Sequence, residues 1–345
     1  MMSVGLHALA VRDALGLTLL LASMVFFGSG RLTHLDPALF GYLGAAFVCA
    51  AAGAYRVSLF WRRPATAAFG RAFLRRLRTP RRLVALSGVA LRTLGSQNFL
   101  FRRGRLRGAA HLALAWGTLL ATLITFPLVF GWLQFRALDT TTYQAVMAGI
   151  PIFSFPVEGI VAFLVFHALV LCSLLVVFGS LYFLGARLLR RGETGALGSF
   201  HLAPLMLLLM VALTGLALPW ASRLGALRVF DLMIFAHEAC VIFLLAAMPW
   251  SKLAHIFGRP LQIGAAELCA PGQPWLSCES CHSPLASVAQ LELVEQVLAR
   301  RGMHFAGVQR VCAPCRRRRL ARVQSALSGN RFQPTPVPRR SCQAA

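Results

Sequence analysis

Polar residues interrupt this chain only at wide intervals, and the apolar runs between them are too long for strands or ordinary surface helices. Six such runs stand near residues 9–29, 38–60, 109–133, 157–184, 200–220 and 229–250. Crossing a hydrocarbon core of roughly 30 Å takes about 20 apolar residues in a helix, and each run is that long. Inside lipid only a helix satisfies its own N–H and C=O groups, so the pattern predicts an all-α membrane protein with about six transmembrane helices. The first run shows no A-x-A cleavage site around "FFGSGRL", which predicts a retained anchor. The same pattern divides the chain into two N-terminal spans (1–60), a loop (61–108), a four-helix core (109–262), a small Cys-rich unit (263–320) and a disordered basic tail (321–345).

Composition agrees, at 57% hydrophobic and 13% charged residues. The net charge of +24 invites a nucleic-acid reading, but its distribution argues against one. Thirteen arginines and no acidic residue lie between Trp61 and Ala110, whereas the link between the third and fourth runs carries one arginine. Positive charge collects on cytoplasmic loops, so the 61–108 loop, the 185–199 loop and the C-terminus are expected on the cytoplasmic side of the inner membrane, with an even number of spans. There the arginines face anionic lipid rather than nucleic acid. Within the loop, residues 81–97 are expected to form an amphipathic helix on the membrane surface.

Nine histidines occur, and five fall in or at the ends of the apolar runs: His111, His167, His201, His237 and His255. Any one could be a packing hydrogen bond, but together they sort into two depths. His111, His201 and His255 lie at the cytoplasmic side, while His167 and His237 lie on the order of 12–15 Å from the outer side at about 1.5 Å per residue. His237 and His255 are eighteen residues apart, about five turns, so both imidazoles are expected on the same face of one helix. Two layers of facing imidazoles suit two stacked bis-histidine haems.

"HE" at 237–238 followed by "MPWSKLAHIFGRPLQ" resembles the last haem-binding helix of the respiratory nitrate reductase gamma-subunit family. That family of membrane cytochromes b includes membrane subunits of heterodisulfide reductases and of dissimilatory sulfite reductase-associated complexes. "RRGRLRGAAHLALAWGTLLATLITF" is similar to the family's other ligand-bearing helix. The resemblance covers roughly residues 95–262. It implies two b haems, quinone exchange near the outer one and a cytoplasmic iron–sulfur protein as partner. The family's second histidine, ten residues after the first, is replaced here by Ala121. The expected pairs are therefore His167 with His237 for the outer haem, and His111 with His255 for the inner, with His201 competing at the same depth. Glu238, next to His237, is a candidate proton acceptor in quinol oxidation, since burial raises a carboxyl pKa toward useful values. The bland alternative is a neutral, hydrogen-bonded Glu that fixes helix packing.

Nine cysteines are present. Cys49, Cys172 and Cys240 lie in apolar runs and read as small apolar residues; Cys269 and Cys342 stand alone. Cys278 and Cys281 in "CESCH" and Cys312 and Cys315 in "CAPC" form two C-x-x-C pairs. Alone, the first is a c-type haem attachment signature. Together, four thiolates predict a tetrahedral Zn²⁺ knuckle, with an iron–sulfur cluster as the alternative. The family's ferredoxin-like C-x-x-C-x-x-C runs are absent. Between the pairs, "VAQLELVEQVLARRG" has helical periodicity. The expected function is electron transfer between quinone and the iron–sulfur partner. A proton-coupled secondary transporter, or a zinc-bearing scaffold without haem, remain the alternatives.

Overall fold

A computed structural model describes residues 2–63, 66–67, 70–71, 88, 91, 95–101, 104–189, 202–225, 227–258, 274–303 and 307–329. His201, Cys269, Cys342 and most of the expected surface helix at 81–97 lie outside those residues. Six helices are long and apolar enough to cross a membrane: α1 (Met2–Gly28), α2 (Phe40–Arg62), α3 (Arg105–Val129), α4 (Ile160–Leu189), α5 (Ala203–Arg223) and α6 (Leu227–Ala247). The protein is thus a multi-pass, all-α membrane protein. Its chain divides into two compact units, one of Met1–Leu59 and Leu91–Gly258, the other of Phe60–Ala90 and Arg259–Ala345.

The first unit packs its helices through small residues. A Cβ on Gly117 of α3 would stand 2.8 Å from the Cys172 carbonyl oxygen of α4, and one on Gly179 would stand 2.6 Å from that of Ala110. Lipid offers helices no hydrophobic drive to associate, so close backbone approach at glycine supplies the dispersion contacts instead. Val176, Leu208, Ala212 and Leu244 bring α4, α5 and α6 into one cluster. A second cluster joins α1, α2 and α6 through Val25, Ala45, Ala46, Cys49 and Leu245. Near one end of the α1–α2 pair, Ser58 donates to Asp13 at 2.7 Å and His7 bonds Tyr55 at 2.7 Å. Outward faces remain apolar and open, as with Phe27, Phe163 and Phe243, because lipid is their solvent.

The link between α3 and α4 is a three-stranded antiparallel sheet. Its strands are β1 (Leu133–Ala137), β2 (Thr142–Met147) and β3 (Ile150–Pro156), in that order. Leu133 pairs with Met147 and Thr142 with Pro156. Asp139 accepts the Thr141 N–H at 2.7 Å and closes the first turn. The second turn is Ala148–Gly149, both at positive φ, the backbone that a tight two-residue hairpin needs. Ala145 and Phe155 are buried against Ala162 of α4, and Phe135, Tyr143 and Phe155 ring Phe166.

His237 and His255 do not share one continuous helix. Helix α6 ends at Ala247, then 3-10 turns at Met248–Trp250 and Lys252–Ala254 flank Ser251, whose backbone is extended. Pro249 lacks the N–H that an α-helix would use, and the Ser251 hydroxyl caps the new turn by accepting the Leu253 N–H at 3.1 Å. His255 therefore leaves the phase of α6.

The second unit holds β4 (Trp275–Ser277) paired antiparallel with β5 (Pro284–Ser287), then α7 (Val288–Arg300) and α8 (Ala313–Leu327). Ser287 and Gln290 form a reciprocal capping box at the start of α7. Helix α8 corrects the expected tail, since residues 321–327 are helical. Ala, Leu, Arg and Gln there are good helix formers, and the helix starts from a fixed N-cap at Cys312.

Candidate functional site

The four cysteines of the second unit meet. Their sulfurs all lie within 4.8 Å of one another, and Cys281 Sγ stands 3.6 Å from Cys312 Sγ. Zn–S bonds of about 2.3 Å in a tetrahedron place sulfurs about 3.8 Å apart, so the spacing is that of ligands around one ion. Local structure builds it twice. Cys278 directly follows β4, and the turn after it is closed by the His282 N–H donating to the Cys278 carbonyl at 2.8 Å, with His282 at φ 56. Cys312 is the N-cap of α8 and Cys315 lies in its first turn. The halves are pinned by the Cys312 N–H donating to Cys278 Sγ at 3.2 Å and the Glu279 N–H donating to the Arg310 carbonyl at 3.1 Å.

Electrostatics divide the sulfurs. Burial pushes the Cys278 thiol up, but N–H donors from Cys312, Ser280 and Cys281 outweigh it and bring the pKa to about 6. Cys281 is lowered, first by the Ser283 hydroxyl. Burial and the neighbouring sulfurs push Cys315 up to about 12. Cys278 and Cys281 are thus shifted toward the thiolate, and a bound cation would favour that form in the ligands as a set. The group can hold a metal ion such as zinc or an iron–sulfur cluster.

In the first unit the histidines separate into two arrangements. His111 of α3 and His255 line one cavity of about 470 Å³, together with Tyr182, Phe183 and Arg187 of α4, Pro204, Leu205 and Leu208 of α5, and Lys252. His255 Nδ1 donates to the Lys252 carbonyl at 2.6 Å, which assigns the tautomer and leaves Nε2 with a bare lone pair. Phe183 meets the His111 ring edge-on. Arg107, Arg187 and Lys252 make the lining cationic, and among the described residues no carboxylate contributes to it.

His167 and His237 are held differently. The Nδ1 of His167 donates to the Phe163 carbonyl of its own helix at 2.9 Å, with the ring stacked on Phe163. His237 Nδ1 bonds Thr214 Oγ1 of α5 at 2.9 Å, while that hydroxyl donates to the Met210 carbonyl at 2.8 Å. Gly215 leaves room for the ring, since a Cβ there would stand 3.2 Å from His237 Cε1. In each ring Nδ1 is engaged, the arrangement by which a hydrogen bond at one nitrogen orients a metal-ligating histidine. Their bonds draw them to different neighbours, one to its own helix and one to α5.

Glu238 projects toward α2, where its carboxylate and Ile242 occupy the space left by the missing Cβ of Gly41. Tyr42 lies within its electrostatic reach. The α1–α2 contacts of His7 with Tyr55 and of Asp13 with Ser58 escaped the reading of the sequence. The available signal was a pair of polar residues three apart on α2, Tyr55 and Ser58, which share one face. No family model, curated protein or solved structure matches this chain.

Proposed function

We propose that this chain is a membrane cytochrome b, an electron-transfer subunit in which His111 and His255 ligate the inner of two b haems. One observation carries the proposal: two histidines remote in sequence line a single cavity, and His255 is fixed in the tautomer a metal ligand requires. The residues present fit the group. The cavity is lined by apolar and aromatic side chains, and its cations Arg107, Arg187 and Lys252 suit the carboxylates that a b haem carries. A haem so held supplies one-electron exchange without covalent change in the protein.

The outer pair, His167 with His237, extends the proposal. Thr214 orients His237, and Phe163 orients His167. Glu238, set in α6 against Gly41, would take the proton released as a quinol is oxidised nearby. The basic loops and the resemblance to the nitrate reductase gamma-subunit family support an inner-membrane location with a cytoplasmic C-terminus, and a cytoplasmic iron–sulfur protein as partner. In the knuckle, Zn²⁺ is the proposed ion, because the sulfur separations are those of a single tetrahedral centre.

The test is a reduced-minus-oxidised visible spectrum of the purified chain, alongside His255→Ala and His167→Ala proteins. A b-type signal that loses its inner component in His255→Ala is expected. Absence of any Soret band from a folded protein would overturn the cytochrome reading and leave the transporter and the scaffold. Both haems retained in His167→Ala would remove that residue as a ligand.

A further inference from the structure

Helix α8 exposes an apolar stripe that its own unit does not use. Leu320, Val323 and Leu327 are 58%, 56% and 83% exposed, and their i, i+3, i+7 spacing sets them in one line along the helix. By helical phase Arg316 lies at the head of that line, with Arg317 and Arg319 flanking it. Arg318 and Arg322 occupy the far side. The helix contains no acidic residue and buries none of its residues. The apolar cluster of the knuckle is made of Cys278, Val311, Cys312, Leu285 and Cys315, so it closes without the stripe. Cys312 and Cys315 fix the first turn of α8, and Arg319 donates to the Ser280 hydroxyl at 3.0 Å. The stripe is therefore presented on a held helix rather than on a loose tail.

We propose that α8 lies along an anionic phospholipid surface, with Leu320, Val323 and Leu327 in the boundary between headgroups and acyl chains and Arg316 and Arg317, at the head and side of that line, among the phosphates. A helix with one apolar line and arginines around it has the composition of an interfacial helix. Its charge is opposite to that of an anionic leaflet, which attracts basic segments close to a membrane anchor. The chain supplies the anchor: six helices suited to crossing a membrane precede α8. Residues 259–273 join the last of those segments to the knuckle, and fifteen residues can span up to roughly 50 Å. The surface is thus within reach. An acidic protein would also meet the arginines, but it would have no reason to require the leucine line to enter acyl chains. This inference is independent of haem.

The experiment is hydrogen exchange on the full chain in nanodiscs of phosphatidylcholine alone and of phosphatidylcholine with phosphatidylglycerol. Amides of 316–329 are expected to exchange several-fold more slowly in the anionic discs, and high salt should shrink the difference. A Leu320→Ser/Leu327→Ser protein should lose that protection while 288–300 exchanges as before, which shows that the knuckle is still folded. Equal exchange in the two compositions overturns the proposal. So does protection that the serine variant retains, which would show that the arginines meet the phosphates without Leu320 and Leu327 entering the acyl boundary.

Discussion

The knuckle brings four sulfurs within 4.8 Å around an apolar cluster of five residues. The bundle, with six long helices, takes His111 and His255 to one cavity but draws His167 and His237 to separate neighbours. In the knuckle each pair of ligands is placed by a single turn, so local backbone geometry does most of the work. In the bundle each histidine is placed by the phase and offset of its own helical segment, and every break between helices alters the result. Side chains close in sequence are preset; side chains far apart depend on all the packing between them.

Metal loss is the sharpest way to break the comparison. A Cys312→Ser protein, or chelation of the wild type, should lose the bound ion and unfold residues 274–329 while α1–α6 stay intact. Structural zinc in small domains is worth about 10–16 kcal/mol of apparent binding energy, far more than so small a core provides. Metal analysis and regional hydrogen exchange check this, and a knuckle that stays protected without metal would show its core to be self-sufficient.

In the bundle the comparable dependence is on close packing. Gly179→Ala places a Cβ 2.6 Å from the Ala110 carbonyl oxygen and should cost about 1–3 kcal/mol. Gly185→Ala meets nothing within 4 Å and should be neutral or stabilising, since alanine favours helix by up to about 1 kcal/mol. Thermal unfolding of the two proteins in one detergent compares them directly; equal melting would mean that α3 and α4 can separate freely. A smaller effect is expected from Thr214→Val, which removes the hydroxyl that accepts from His237. Loss of one hydrogen bond of this kind costs about 1 kcal/mol, and the visible spectrum of the variant would report any reorientation of the imidazole.

The mildest test is pH on the metal-free knuckle. Between about 6 and the ordinary thiol value of 9.0, folded Cys278 has lost its proton while the unfolded chain keeps it, so stability should rise with pH across that window and fall away below about 6. Cys315, pushed up to about 12, acts oppositely above 9.0. Urea midpoints of the reduced, metal-free protein should therefore be highest near pH 9; a monotonic fall from pH 6 upward would contradict the hydrogen bonding to Cys278 Sγ.

The six spans were legible because lipid imposes one rule on each of those segments: apolar side chains outward and backbone hydrogen bonds satisfied within the helix. The four-cysteine group was legible for a related reason, since two C-x-x-C turns fix their sulfurs locally. The sheet at 133–156 was not, because its strands are short and its aromatic face, Phe135, Tyr143 and Phe155, is defined only by Phe166 of a later helix. Helix α8 was hidden by its run of arginines, whose charge reads as a tail until Cys312 gives it a starting point. Sequence alone determined which residues must enter lipid and which thiols could share an ion, because both follow from local chemistry. Only the tertiary structure decided that Ser251 would turn His255 out of the phase of α6 and onto the cavity with His111. That outcome depends on where α3, α4 and α5 stand, and no spacing within one helix contains it.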